Sequence, residues 1–420
     1  MKRLLWFLSI PVIILLLVLV YKPPFDLQKA VDRLGPEGGV VTIPEGIHVI
    51  KKPVIINKDN VVIRGASPVS TVLTNDVPDD QLFIVSGSST FTTQVVSDIL
   101  PGGGLTNMNP QVEVENAGQL VEGDVILIEN NNAVPKKLEF NKIKEMNGNI
   151  LTLEDKVLES YTAAQSSTIT KVSLVKNVTI KNVTIRSSQP DRENFGILAK
   201  YTSFLTVRNI IFENIAKNAL LIQYSQSPRV QNSIFRDNGR KDKGDFGIGI
   251  QESVSAMVSK NQMFSSGAIY LRNNIHSVVS SNYSDGTLPT NGDGISAVGG
   301  IGNRYENNTI LRANCYGIWI HSGAERNVIV NNTFQAGVTS GIYVTDAYNN
   351  EIINNTLTNN SSNGILLDLM AENNHIEGNR LTGNDARGVT ANKQINIIGS
   401  NISINNKYPD YLYNTADAEK

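Results

Sequence analysis

Eight side chains between Lys243 and Tyr343 have the chemistry a reaction or a bound ligand needs: His321, Arg272, Asp293 and Tyr343 as catalytic groups, and Tyr270, Trp319, Lys243 and Asp245 as binding groups. Abstracting a proton from carbon beside a carboxylate takes a base, a positive group that neutralises the carboxylate, and an acid on the leaving oxygen or opposite face. His321 supplies the base, Arg272 the cation, and Tyr343 or Tyr270 the acid. A calcium ion can replace Arg272, with Asp293, Asp245 or Glu252 as oxygen ligands; no other cofactor or metal is called for. In a second chemistry Asp293 is one of two hydrolytic carboxyls, which an inverting enzyme holds roughly 6.5–9.5 Å apart, and Asp245 is the candidate partner. Tyr270, Trp319 and Tyr343 present aromatic faces to which the C–H faces of sugar rings can stack while polar neighbours fix orientation. The same three rings also suit a long covering loop. Lys243, in the run Arg240 to Asp245, reads as a binding loop or as a solvated charge run.

The elements that bring these residues together are read from a repeat. From Lys176 onwards two patterns alternate every roughly 20 to 27 residues, the self-similarity of a solenoid. One is Asn followed shortly by a large apolar residue: Asn182/Ile185, Asn209/Phe212, Asn232/Phe235, Asn261/Phe264, Asn308/Ile310, Asn332/Phe334, Asn355/Leu357 and Asn379/Leu381. The other is a small residue, an aliphatic, any residue, a second aliphatic and a polar residue, as in Gly317-Ile318-Trp319-Ile320-His321. Alternation with period two makes a strand with one buried face. Each unit is too short to bury that face alone, so units stack into parallel sheets. The expected fold is all-β: a single-stranded right-handed parallel β-helix with an N-terminal capping helix and a β-rich insertion.

Aligned on the second pattern, the outward residues form two columns. One runs Leu198, Leu221, Gly249, Tyr270, Ser296, Trp319, Tyr343, Leu366, Thr390, and the other Lys200, Gln223, Gln251, Arg272, Val298, His321, Thr345, Asp368, Asn392. The candidate residues therefore share one face. Asparagines are expected to stack their amides coil on coil, which also accounts for the many Asn-Xaa-Ser/Thr matches without glycosylation.

Residues 25–85 read as the cap and first coils. Phe25 to Leu34 has helical apolar spacing and stops at Gly35-Pro36. Residues 86–173 interrupt the repeat and read as a β-rich insertion, with Asn147-Gly148 as a hairpin turn, supplying one wall of the groove. Residues 174–420 carry the repeats. Residues 1–24 read as an uncleaved signal anchor: Met1-Lys2-Arg3 precedes the uncharged run Leu4 to Tyr21, about long enough to cross a bilayer, and the positive flank places the rest on the extracytoplasmic side of the cell membrane.

The net charge of −2, from 37 basic and 39 acidic residues, gives no field that would draw nucleic acid. Cys315, the one cysteine, cannot form an internal bridge and reads as a core residue. Nothing in the sequence fixes an oligomeric state.

The run Ala30-Val31-Asp32 through Gly38-Gly39-Val40, Ile43-Pro44-Glu45-Gly46 and Val61-Val62-Ile63-Arg64-Gly65-Ala66 resembles the entry segment of the pectate-lyase-like superfamily. The later coils, such as Asn327-Val328-Ile329-Val330-Asn331-Asn332-Thr333-Phe334, resemble the repeat shared by carbohydrate-binding proteins and sugar hydrolases, including NosD-type proteins and alginate C5-epimerases. Asn291-Gly292-Asp293-Gly294-Ile295 is similar to a segment of polygalacturonase-type hydrolases, but the paired Asp-Asp and Gly-His-Gly of those enzymes are missing. So is the Asp-Pro-His-Glu motif of the epimerases. The scaffold hosts enzymes and non-enzymes alike. The resemblance implies an extracytoplasmic polysaccharide as partner, with a lyase or epimerase acting on a uronate-containing polymer as the first expectation. A glycoside hydrolase centred on Asp293 and a non-catalytic binding or assembly protein are the alternatives.

Overall fold

The computed structural model describes residues 25–412 except 79, 102–109, 190–192, 240–244, 288–291 and 394. Each aliphatic-x-aliphatic segment forms a strand of three or four residues whose two aliphatics point inwards, as at Ile318–His321, where Ile318 and Ile320 are fully buried and Trp319 and His321 are not. Twelve such strands, from Val54–Ile56 to Tyr411–Leu412, stack in parallel as one sheet, here called the site face. The other faces are joined into a 22-stranded sheet because two long strands, Thr179–Ser187 and Thr206–Glu213, run through the corner between them. Between the faces lies one continuous core that runs from Leu27 to Val389.

Amides run up the interior as predicted. Asn332 Oδ1 accepts from both the backbone N–H (2.9 Å) and the Nδ2 (3.0 Å) of Asn308, while Asn332 Nδ2 donates to the Tyr305 carbonyl at 2.9 Å. The same pattern links Asn261, Asn282, Asn308, Asn332, Asn355, Asn379 and Asn401. The first three asparagines of the sequence pattern differ: Asn182, Asn209 and Asn232 are left-handed turn residues with φ of 58°, 51° and 51°. A core side chain follows a turn asparagine by three residues but a ladder asparagine by two. After Asn261 the buried residue is accordingly Met263, aligned with Phe235, and Phe264 faces outwards beside Arg236.

The first coil is closed by a short helix, α1 (Leu27–Asp32), which sinks Leu27 and Val31 into the core and is capped by Asp26, whose Oδ1 accepts from the Lys29 N–H at 2.9 Å. Gln28 uses its amide as a surrogate strand, accepting from the Ile55 N–H at 2.6 Å and donating to its carbonyl at 3.3 Å. That satisfies an edge which would otherwise be open to pairing.

The insertion is a six-stranded sheet of antiparallel pairs spanning Ser88–Gln94 to Ser167–Ser173, with the expected turn where Asn147 pairs with Ile150. It has its own core around Ile126, Ile128, Leu151 and Tyr161. The membrane anchor is corrected: among the described residues no helix is long and apolar enough to cross a membrane. The run Leu4 to Tyr21 lies outside the described residues, so a single-pass anchor and the cell-membrane location drawn from it are not supported.

Candidate functional site

Register fixes the site face. Strand pairing aligns Leu198, Leu221, Gly249, Tyr270, Ser296, Trp319 and Tyr343 in one outward column, and Lys200, Gln223, Gln251, Arg272, Val298 and His321 in the next. With rungs about 4.8 Å apart, Tyr270 and Trp319 are two rungs and roughly 10 Å from each other. They head two separate clusters.

In the lower cluster Tyr270 is stacked under Phe246, ring centroids 3.9 Å apart and planes within 6°, so this ring has the covered role. Arg272 forks onto Glu252: Nε donates to Glu252 Oε1 at 2.9 Å, and Nη2 donates to Glu252 Oε2 at 3.2 Å and Gln251 Oε1 at 2.9 Å. Glu252 is buried, and a fork on a buried carboxylate neutralises a charge that could not stand alone. Arg272 therefore balances Glu252 through Nε and Nη2, while 41% of its side chain stays exposed. Asp245 is buried with Lys217 Nζ 3.7 Å away, while Lys243 lies outside the described residues. No group of three or more His, Cys, Asp or Glu side chains among the described residues is placed to hold a metal ion, and of the three calcium-ligand candidates Glu252 is committed to Arg272.

The upper cluster is an open aromatic platform. Trp319 stacks on His321 at 3.8 Å and 17°, and Tyr316 leans over both Trp319 (5.8 Å) and Tyr343 (4.6 Å). All four are half-buried. Tyr343 donates its hydroxyl to Asp368 Oδ2 at 3.1 Å. His321 Nδ1 meets Ser322 Oγ at 2.9 Å, whereas His321 Nε2 and Trp319 Nε1 have no hydrogen-bond partner among the described residues. Burial lowers the imidazole to about 4 against a weak opposing pull from Asp346. At neutral pH His321 is uncharged, but a base of that strength accepts a proton poorly.

Asp293 lies beside this platform and is buried. Desolvation raises its carboxyl to about 6, partly offset by the Tyr316 N–H, the Cys315 thiol and the Ser296 hydroxyl. Cys315, expected in the core, is instead half-buried at the carboxyl, and burial and Asp293 both push its thiol up. Tyr316 sits within the fields of Cys315, Tyr343, Asp293 and Asp368, and burial above all raises its hydroxyl to about 12. Asp293 belongs to the coil of Gly294 and Asp368 to that of Gly364, three rungs apart, or roughly 14 Å. That exceeds the spacing of a hydrolytic carboxyl pair.

Tyr316 and Asp368 join the site without having been singled out. Asp368 stood in the second outward column, and Tyr316 immediately precedes the Gly317 strand pattern. Neither position reveals that the Asp368 carboxylate would accept from the Tyr343 hydroxyl one coil below, or that a ring before the strand would turn onto Trp319.

The insertion forms the wall on the His321 side. Gly323, with φ of +79°, lies so close to it that a Cβ would fall 2.5 Å from Val134 Cγ1, and Arg326 donates to Glu159. Leu127, Leu138, Val172 and Leu174 pack with Ile275 from the coils.

The description "Right handed beta helix region" matches residues 116–282, 169–334, 241–366 and 267–419, well over half of the chain. The chain belongs to the right-handed beta helix family. Solved β-helices resemble it over most of its length. The Gp54 tailspike of Acinetobacter baumannii bacteriophage AP22, solved with A. baumannii capsular saccharide, is 14% identical, with a TM-score of 0.55 over 92% of this chain and 71% of the tailspike. The A-module of the Azotobacter vinelandii mannuronan C-5 epimerase AlgE4 is 13% identical, with a TM-score of 0.55 over 92% of each chain. DFA-IIIase from Arthrobacter chlorophenolicus, solved with GF2, is 13% identical, with a TM-score of 0.54 over 87% of this chain and 79% of that one. At these identities the likeness concerns the β-helix itself. No curated protein sequence matches.

Proposed function

We propose that this β-helix binds a polysaccharide along its site face, with Trp319 as the central stacking platform. The observation that carries this reading is the half-exposed stack of Trp319, His321, Tyr316 and Tyr343 beside the wall formed by the insertion. Aromatic faces take the apolar side of a sugar ring, while Trp319 Nε1 and His321 Nε2 are buried without a partner among the described residues. Solved relatives of this fold include a tailspike with a capsular saccharide, a mannuronan epimerase and a DFA-IIIase with a bound ligand, which agrees with a carbohydrate role.

Catalysis at the same face is the second reading, favoured by Asp293, whose carboxyl at about 6 can both give and take a proton near neutrality. Hydrolysis through this group would need a second carboxyl within roughly 6.5–9.5 Å. Elimination or epimerisation of a uronate would require Arg272, already balanced by Glu252, to neutralise a second carboxylate, and a stronger base than His321.

The test incubates the full chain with uronate-containing and neutral polysaccharides while binding, near-ultraviolet absorbance and reducing ends are followed together. Binding lost about tenfold or more in Trp319→Ala supports the platform, since buried Trp anchors dominate recognition. Reducing ends that appear without any rise in absorbance and vanish in Asp293→Asn establish hydrolysis, and rising absorbance establishes elimination. If no polymer binds, or Trp319→Ala binds as well as the parent, the reading fails.

A further inference from the structure

The same outward column continues below Tyr270 into a pit that the platform does not use. Phe195, Leu198 and Leu221 line a cavity of about 150 Å³ with the side-chain amides of Gln81, Asn218 and Gln223 at its edge. Among the described residues no charged one lines it. Leu221 is aligned with Gly249 and lies four rungs from Trp319, roughly 19 Å along the axis. One extended chain can touch both.

The amides are polarised by their other bonds. Asn218 spends its Oδ1 on the Phe246 N–H at 2.6 Å, so its amide N–H groups remain to donate. Gln223 spends an Nε2 hydrogen on Gln251 Oε1 at 2.9 Å, so its Oε1 remains to accept. An apolar pit with a donor from Asn218, an acceptor from Gln223 and the Gln81 amide at its mouth matches a small neutral group with a methyl, a carbonyl and an N–H. A carboxylate or ammonium would enter without a counter-charge.

We infer that this pit is a subsite for the acetamido group of an N-acetylated amino sugar. The inference rests on the reading of the site face as saccharide-binding and adds a sugar class to it. The methyl would lie between Leu198 and Leu221, the carbonyl would accept from Asn218, and the N–H would donate to Gln223.

Calorimetry with the full chain tests it, using N-acetylated chitohexaose and cellohexaose, two β1,4-linked hexamers that differ in acetamido against hydroxyl. The acetylated hexamer is expected to bind at least tenfold more tightly, the range in which a filled apolar pocket discriminates. Leu221→Trp, which fills an outward-facing pit, and Gln223→Leu, which removes the acceptor without loss of bulk, should each reduce that preference while cellohexaose binding stays put. Equal binding of the two hexamers, both weakened by Trp319→Ala, would overturn the acetamido subsite and leave the platform standing. Binding of neither hexamer would overturn the subsite too, and the polymer panel then decides separately whether the platform holds.

Discussion

Burial moves two titrating groups of the upper cluster in opposite directions, and the consequence is a pH-dependent stability that single substitutions can separate. Asp293 has its folded carboxyl at about 6 against an ordinary 3.8, so between those values the folded state holds more protons than the unfolded one, and the stability it contributes falls as pH rises. His321, at about 4 against an ordinary 6.5, does the reverse: the unfolded state holds more protons, and stability rises with pH over that window. Relative to the parent, Asp293→Asn should therefore gain melting temperature as pH rises from 4 to 6, whereas His321→Gln should lose it from 4 to 6.5. Melting curves across pH 4 to 7.5 check both signs, and parallel curves for parent and variants would contradict the burial described for these two side chains.

At the scale of the element, the amide ladder is where the sequence was most legible. Asn308, Asn332, Asn355 and Asn379 recur with a fixed following aliphatic, and the ladder follows from that spacing together with the need to satisfy buried backbone groups. Each side chain makes several bonds at once. Asn332→Ala removes the acceptor for two Asn308 N–H donors and the amide donor to the Tyr305 and Val330 carbonyls, of which Val330 still accepts from the Asn307 N–H, so it should cost about 2–4 kcal/mol in denaturant unfolding. Asn209→Ala, at an exposed turn with φ of 51°, should cost about 1 kcal/mol through backbone strain. Gln28→Ala should cost about 1–2 kcal/mol because the Ile55 edge loses both surrogate bonds. The outward columns were equally legible, since period two and the Gly-aliphatic register determine them. Partners were not: Glu252 with Arg272, and Asp368 with Tyr343, are separated by 20 and 25 residues, and nothing local says which of several outward neighbours a long side chain will choose. Stacking of Phe246 on Tyr270 was hidden for the same reason.

Across the whole molecule, nearly every contact joins a coil to the one before or after it, so stability should behave as a sum of neighbour terms. The N-terminal end is covered by α1 and Gln28, while the last strands expose Ile397, Ile402 and Ile404. Hydrogen exchange should accordingly be slowest in the central coils around Ile295 to Val344 and fastest in residues 397–404. Uniform protection along the axis would show instead that the coils unfold as one unit. The composition said nothing of this asymmetry, although the helical spacing after Phe25 identified which end would be closed.

The coil bonds of the Asn261 to Asn401 ladder span 21 to 26 residues each, and the first two coils pair over similarly short stretches, but the join between the second coil and the third closes over a much longer one. Thr184 Oγ1 reaches the Pro68 carbonyl across 116 residues, and Thr179–Ser187 pairs directly with Val61–Arg64 and Thr71–Asn75. A nascent chain could therefore lay down its later coils one by one as they emerge, each closing a short loop. The step that carries the series past the second coil has to wait until the entire insertion has been synthesised and its ends brought together. The insertion that walls the site face thus also sets the moment at which winding can resume beyond residue 86.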